Sequence, residues 1–143
     1  MALPKLTAYL EKTLKALGLH TEARTSFITY VSSYPLKPKI LNLIRYWLPL
    51  FNKHQNIAVR FLPQEAYEKA APLEVEPKPD VVARIFMLFR GVNNDTLESW
   101  KGSARRVENP VEDWAKVVGI DPARVLDTSI YRVIEWGGME VFA

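Results

Sequence analysis

The sequence predicts a single α+β domain over residues 1–143, in which a mostly antiparallel or mixed sheet is packed against an N-terminal helix and helices from the C-terminal half. Three observations support this fold class. The length of 143 residues fits one domain. Apolar residues follow a helical spacing in some segments and a spacing of two in others. The connections after the second predicted strand are short, which favours an α+β arrangement.

The first predicted element is an amphipathic helix over residues 4–17. Its apolar stripe consists of Leu6, Tyr9, Leu10, Leu14 and Leu17. Gly18 follows as a left-handed helix cap. A targeting presequence would share the amphipathic pattern, but it would be rich in arginine and poor in acidic residues. Because this segment contains Glu11 and no arginine, we expect the helix to pack on the domain.

Residues 24–31 predict a strand, because the string RTSFITYV is rich in β-branched and aromatic side chains. Residues 30–45 then interrupt the pattern. They are a genuine loop with a short helix, a translated intron or an isoform insert, since their removal joins Thr29 to Tyr46 in frame and leaves the strand unbroken. The coding DNA tests the second interpretation, and a CGN codon for Arg45 would exclude it.

Residues 57–62 predict the next strand, and Pro63 ends it because proline cannot donate a hydrogen bond to a neighbouring strand. A short helix is predicted over residues 63–71, with the proline in its first turn. Residues 73–76 alternate between apolar and acidic side chains, as in a short edge strand.

Residues 81–89 form the apolar centre of the chain. Their spacing fits a helix as well as a strand, but their content of valine, isoleucine and phenylalanine favours a strand. One face of this strand is wholly apolar. The other face carries Val82, Arg84, Phe86, Leu88 and Arg90. Gly91 is predicted to close the strand.

Two short helices and a last strand are predicted in the C-terminal half. Asn109 caps a helix that ends at Gly119, and Asp121 caps a second helix. Residues 129–136 predict a strand that pairs with the central sheet. The glycine pair at residues 137–138 is predicted to form a tight hairpin or a bulge.

The composition excludes several kinds of site. The absence of cysteine excludes disulfides, thiolate zinc sites and cysteine nucleophiles. No apolar stretch is long enough to span a membrane and no secretory signal is recognisable, so we expect a cytoplasmic location. The formal charge is +3, with 19 basic and 16 acidic residues interspersed along the chain. Without a concentrated basic patch, nucleic acid is not the expected partner.

Recognised catalytic motifs are absent. No GxSxG, Walker or dinucleotide-binding glycine pattern occurs, so no cofactor is predicted. His20 and His54 lack metal-binding spacing and are predicted to be surface or capping residues, although His54 as a general base stays open. The cluster of Glu74, Glu76 and Asp80 could bind a cation or act in acid–base chemistry. The favoured interpretation is a solvated edge loop in which the aspartate caps a turn.

Arginines inside apolar strands are the most informative polar residues, because a charge there must be paired or must face solvent. They are Arg60, Arg84, Arg90 and Arg132. If several of them share one sheet face with Tyr67 or Trp136, they could bind a carboxylate or phosphate ligand through paired hydrogen bonds. The favoured alternative is that each arginine pairs with a nearby glutamate, such as Glu135, or extends to water.

Several strings in residues 23–141, namely TSFIT, YWLP, RFLPQ, PDVV, FMLFRGV and EWGGMEV, resemble those of small uncharacterised fungal proteins. The resemblance places TSFIT directly beside YWLP, where this chain carries the additional segment. It implies no fold, activity or site residue.

Two functions follow as expectations. The first is a non-enzymatic intracellular binding module that uses a sheet face or an apolar groove for a protein or a small ligand. The second is a small enzyme or ligand-binding protein with an arginine and carboxylate pocket for an anionic small molecule. The two differ in whether the arginines converge in a concave, water-excluding pocket. Self-association through exposed aromatic residues stays open.

Overall fold

The computed structural model describes residues 3–32, 56–93, 95 and 112–141. The elements in these ranges are α1 (Leu3–Ala16), α2 (Thr21–Ser32), β1 (Asn56–Phe61), α3 (Gln64–Ala70), β2 (Val81–Val92), α4 (Glu112–Val118), α5 (Pro122–Leu126) and β3 (Arg132–Glu140). The predicted α+β class is confirmed. Residues 33–45 of the predicted insert, His54 and the predicted cap Asn109 lie outside the described residues.

Helix α1 confirms the first prediction. Its stripe of leucines is buried, and these residues are Leu6, Leu10, Leu14 and Leu17. The helix ends at Ala16, and Gly18 follows it with a φ of 84°. The backbone N–H of Leu19 donates to the carbonyl of Leu14 over 3.0 Å. Such a left-handed residue after a helix satisfies carbonyl groups that have no partner within the helix.

Helix α2 replaces the predicted strand over residues 24–31, so that prediction is wrong. His20 precedes the helix, and its Nδ1 accepts a hydrogen bond from the backbone N–H of Ala23 over 3.2 Å. Ala23 and Phe27 are four residues apart and both are buried. Their burial on one face of a helix outweighs the weaker local preference of threonine and isoleucine for strands.

The sheet is mixed, as predicted. Within the described residues it has the strand order β1–β2–β3, with β2 in the centre. The pair β1–β2 is antiparallel, with Phe61 opposite Met87. The pair β2–β3 is parallel, with Ile85 opposite Trp136. Parallel neighbours need a long crossover, and here the chain between β2 and β3 includes α4 and α5.

Three details of the predicted strands are wrong. Strand β2 continues through Gly91 to Val92. Residues 73–76 contain no strand. The glycine pair at residues 137–138 lies inside the continuous strand β3 rather than at a hairpin or a bulge. Gly138 is opposite Met87, and a Cβ atom on this glycine would lie 3.3 Å from the Met87 carbonyl oxygen.

The start signals of α3 and α5 and the stop signal of α4 agree with their predictions. Pro63 immediately precedes α3. Gly119 follows α4 with a φ of 81°. Asp121 caps α5 by accepting a hydrogen bond from the N–H of Ala123 over 3.0 Å.

The core lies between the sheet and helices α1, α2 and α4. Phe27 of α2 contacts Trp136 of β3, with ring centroids 5.5 Å apart. Trp114 of α4 packs edge-on against Phe61 of β1 at 5.2 Å, and its Nε1 donates to the hydroxyl of Tyr9 in α1 over 2.6 Å. These contacts fix three helices on one face of the sheet. Among the described residues, no helix has the length and apolar character needed to cross a membrane.

Candidate functional site

The two faces of β2 have different environments, as the alternation of its side chains predicts. The face toward α1, α2 and α4, the core face, carries Ala83, Ile85, Met87 and Phe89, all buried. The opposite face, the second face, carries Val82, Arg84, Phe86, Leu88 and Arg90. Polar chemistry on this sheet is therefore concentrated on the second face.

Helix α3 covers the middle of the second face through a group of four residues that we call the Arg84 cluster: Tyr67, Glu68, Arg84 and Glu135. The guanidinium Nε of Arg84 donates to Glu135, and its Nη1 donates to Glu68 and to the carbonyl of Ala71. Its Cζ lies 4.3 Å from the centre of the Tyr67 ring. Arg84 is only 4% exposed, so these contacts supply the hydrogen bonds that a buried charge requires.

The pKa values of two cluster members are shifted in the directions that favour their charged forms. The hydrogen bond to Glu135 raises the pKa of Arg84, and the hydrogen bond to Glu68 adds to that effect. The pKa of Glu68 is lowered, first by the backbone N–H of Leu73 and then by Arg84. Both shifts are those of a charged hydrogen-bonded network.

Aromatic stacking completes the covered region. The ring of Tyr67 lies over that of Phe86, with centroids 4.7 Å apart and an interplanar angle of 26°. Phe86 in turn lies over Gly137 of β3, where an added Cβ atom would be 3.2 Å from the phenylalanine Cε2. The absence of a side chain at residue 137 therefore leaves room for the ring that supports Tyr67.

Beyond α3, the second face has two transverse rows of residues that we call the open band. The strand register places Arg60, Leu88 and Met139 in the first row. Arg90 lies opposite Ala58 in the second row, next to Val141, whose N–H donates to the Phe89 carbonyl over 2.8 Å. The band thus combines two arginines with four apolar side chains and contains no carboxylate.

Exposure distinguishes the open band from the covered region. Arg60 and Arg90 are exposed, and neither guanidinium group forms a hydrogen bond or an ion pair within the described part of the chain. Met139 is 52% exposed and Val141 is 38% exposed. The open band is therefore an exposed surface on which apolar side chains surround two arginines whose guanidinium groups have no partner among the described residues.

The structure brings together only part of the predicted arginine site. Arg84 and Tyr67 meet in the Arg84 cluster, and Arg84 pairs with Glu135 as the favoured alternative predicted. Arg132 is half-buried and donates to the Val125 carbonyl at the end of α5. Trp136 packs on the core face. Arg60 and Arg90 lie further along the second face: Arg60 is two rows of side chains from Arg84, and Arg90 is three rows away. The predicted site residues, which are these four arginines with Tyr67 and Trp136, therefore do not line one pocket.

Glu68 was not among the predicted site residues. Glu68 directly follows Tyr67, on the turn of α3 that faces the sheet. Only the packing of the helix on the sheet shows that its carboxylate contacts Arg84 of β2. The available sequence signal was that a charge in an apolar strand requires a partner, which indicates that a carboxylate meets Arg84 but not which one.

The other polar candidates have structural roles. Asp80 accepts a hydrogen bond from the N–H of Tyr131 over 2.8 Å, so it fixes the start of β2 next to β3. Among the described residues, no group of three or more histidines and carboxylates could hold a metal ion. His20 caps α2, as its prediction as a capping residue requires.

A cleft of about 250 Å³ lies at the start of β2, next to α5. The amide of Gln64 spans it, donating to the Gly119 carbonyl over 2.8 Å and accepting from the Arg84 N–H over 3.3 Å. Arg124 at its edge donates to the Asp80 carbonyl over 3.2 Å. These polar groups connect the surrounding elements to one another, so the cleft offers a ligand fewer unused groups than the open band.

Comparison with protein-family models, with curated proteins and with solved structures finds no match to this chain.

Proposed function

We propose that this chain is a non-enzymatic binding module that binds an acidic segment of a protein partner through the open band. The observation that carries the proposal is the contrast between its arginines. Arg84 is buried and its hydrogen bonds go to Glu68, Glu135 and Ala71. Arg60 and Arg90 are exposed and have no such partner among the described residues. The cytoplasmic location expected from the sequence belongs to the same proposal.

The composition of the band indicates the chemistry of the partner. Arginine binds carboxylates and phosphates through two parallel hydrogen bonds, and such charge-assisted bonds are about twice as strong as neutral ones. Met139 adds a flexible, polarisable contact that adapts to different apolar side chains. A segment with an acidic group flanked by apolar side chains matches both features of the surface.

The alternative, an enzyme or ligand-binding pocket for an anionic small molecule, has less support. Such a pocket needs a cation that is available to the ligand. The only buried strand arginine in the described residues, Arg84, already meets two carboxylates. An anionic ligand would have to displace Glu68 or Glu135 and would gain no new positive charge.

The proposal is tested by titrating the ¹⁵N-labelled chain with a soluble peptide that alternates glutamate and leucine, and separately with the corresponding lysine and leucine peptide. We expect the acidic peptide alone to shift the amide resonances of β1 at Ala58 and Arg60, of β2 at Leu88 and Arg90, and of β3 at Met139. Shifts confined to other parts of the chain, or equal shifts with the basic peptide, would contradict the proposal.

A matched pair of variants separates a local site from a general charge effect. The double variant Arg60→Gln/Arg90→Gln removes two positive charges from the band. The control Lys5→Gln/Lys116→Gln removes two positive charges from exposed positions on α1 and α4. We expect the first variant to weaken peptide binding by about tenfold or more, since each lost pair is charge-assisted, and the second to leave it nearly unchanged.

A further inference from the structure

Resting on the proposed function, we infer that the acidic group recognised by the open band is a phosphorylated side chain, held by Arg60 and Arg90 together. The placement of the two arginines relative to each other determines which anion fits between them.

The register fixes that placement. Arg60 lies opposite Leu88, and Arg90 is two residues further along β2, opposite Ala58. Two residues in this diagonal relation on neighbouring antiparallel strands are about 7–8 Å apart, and their Cβ atoms are somewhat closer. An arginine side chain is long enough to cover half of that distance, so both guanidinium groups can reach one anion centred between them.

A phosphoryl group matches this pair better than a carboxylate does. It carries a charge of about −1.5 to −2 at neutral pH and three acceptor oxygens, so it can accept two hydrogen bonds from one arginine and further bonds from the other. One carboxylate carries a single charge and two acceptor oxygens, so it neutralises only one of the two guanidinium charges and offers them fewer acceptors.

Two carboxylates would satisfy both arginines only in a restricted orientation. Carboxylates on alternate residues of an extended segment are about 6.6 Å apart along that segment. The line joining the two arginines runs obliquely across β1 and β2, so such a segment would have to cross the strands at that oblique angle. A single phosphoryl group imposes no such condition on the path of the partner chain.

The surroundings favour the same ligand. Leu88 and Ala58 lie between the arginines and are half-buried, and an apolar floor strengthens a charged hydrogen bond by excluding water. Within the described residues, the carboxylates nearest to the band in sequence are Glu140, which the register places opposite Phe89 on the core face, and Asp95, which follows the end of β2. Neither carboxylate is part of the band.

The test uses three fluorescent nine-residue peptides of one sequence, with leucine and alanine on both sides of a central phosphoserine, glutamate or serine. Binding is measured by fluorescence anisotropy at pH 7.5 and pH 5.5. We expect the phosphoserine peptide to bind about tenfold more tightly than the glutamate peptide at the higher pH. At the lower pH the difference should shrink, because the second ionisation of the phosphate has a pKa of about 6.

The controls address the protein and the source of the phosphate. The glutamate peptide, measured at both pH values, corrects for effects of pH on the protein itself. Arg60→Gln/Arg90→Gln should abolish the preference for phosphoserine, and Lys5→Gln/Lys116→Gln should retain it. Competition with inorganic phosphate, and with vesicles containing phosphatidylserine, compares the peptide with a free anion and with a membrane surface.

Each outcome decides between the two proposals. If the glutamate and phosphoserine peptides bind the band equally well, the phosphate inference is overturned and the binding proposal stands. Inorganic phosphate competing at the same concentration as the peptide, or vesicles binding more tightly through the same arginines, would overturn it as well. If no peptide binds, or if Arg60→Gln/Arg90→Gln has no effect on binding, both proposals fail.

Discussion

Arg84→Met removes the positive charge of the Arg84 cluster while keeping an unbranched side chain in the same space. The variant removes the Arg84 donors from Glu135, Glu68 and the Ala71 carbonyl and the cationic neighbour from the Tyr67 ring. Glu68 keeps the hydrogen bond from the Leu73 N–H, and Glu135 keeps the one from the Tyr67 hydroxyl. It therefore tests whether α3 is held on the sheet by this network or by apolar packing alone.

The expected loss of stability follows from the contacts. A hydrogen bond to a charged group contributes about 1.5–3 kcal/mol, and breaking a buried ion pair costs about 3–5 kcal/mol. The side chain of Glu135 is 38% exposed, so water can replace part of what the carboxylate loses. We therefore expect Arg84→Met to lower the free energy of unfolding by about 2–4 kcal/mol.

The assay is thermal unfolding followed by circular dichroism, with urea unfolding as a second measurement. For a chain of 143 residues the entropy of unfolding is about 0.3 kcal/mol/K, so 2–4 kcal/mol corresponds to a decrease in Tm of about 7–13 °C. The control Arg124→Met removes an exposed arginine with one hydrogen bond to the Asp80 carbonyl and should change stability by less than about 0.5 kcal/mol.

A double-mutant cycle makes the test specific. Combining Arg84→Met with Glu135→Leu should cost less than the two single changes together, by about 1 kcal/mol or more, because each single change leaves a partner that the other removes. Equal effects of Arg84→Met and Arg124→Met, or additive effects in the cycle, would refute the view that this ion pair holds α3 in place.

Three further predictions concern packing and pH. Gly119→Ala should lower the free energy of unfolding by about 1–2 kcal/mol, because of the positive φ alone. Gly18→Ala should cost more, because of these two glycines only Gly18 has another side chain close to an added Cβ atom, with the Val125 Cβ at 3.0 Å. Phe27→Ala should cost about 3–5 kcal/mol in urea unfolding, because the ring is fully buried. Glu68→Gln should flatten the loss of stability below pH 4.5, since the lowered pKa of Glu68 provides stability above its ordinary value of 4.5 that is lost as the pH falls.

Each of these predictions has an outcome that contradicts it. Equal losses for the two glycine variants would mean that α1 and α5 do not pack closely at Gly18. A cost for Phe27→Ala no larger than that of Ser26→Ala, on the exposed face of the same helix, would remove α2 from the core. An unchanged pH profile after Glu68→Gln would show that the carboxylate is equally hydrogen-bonded in the unfolded chain.

Helix α2 illustrates where the sequence-based prediction fails. Residues 24–31 contain threonine, isoleucine, phenylalanine, tyrosine and valine, all of which prefer strands locally. The preference amounts to tenths of a kcal/mol per residue, which is less than the benefit of burying Phe27 against Trp136. The four-residue spacing of Ala23 and Phe27 did indicate a helix. A short stretch of sequence does not reveal, however, that the sheet lies opposite these two side chains.

The central sheet was predictable because its patterns are long. The alternation of β2 correctly assigned its core face and its second face, including the side of Arg84. The pairing of Arg84 with Glu135 was anticipated as one interpretation, whereas Glu68 was not. The difference is physical: Glu135 belongs to a neighbouring strand, while Glu68 depends on the docking of a seven-residue helix, which local sequence does not specify.

The parallel pairing of β2 with β3 has a consequence for synthesis of the chain. The residue numbers of every pair differ by 51, from Val81 with Arg132 to Phe89 with Glu140. At about 5–20 residues per second, translation therefore produces β3 roughly 3–10 s after β2. During that interval the edge of β2 that will pair with β3 lacks its partner, and a strand edge rich in valine, isoleucine and phenylalanine is a site for intermolecular pairing. Expression at low temperature lengthens this interval, whereas a chaperone that binds extended apolar segments protects β2 until β3 has been made.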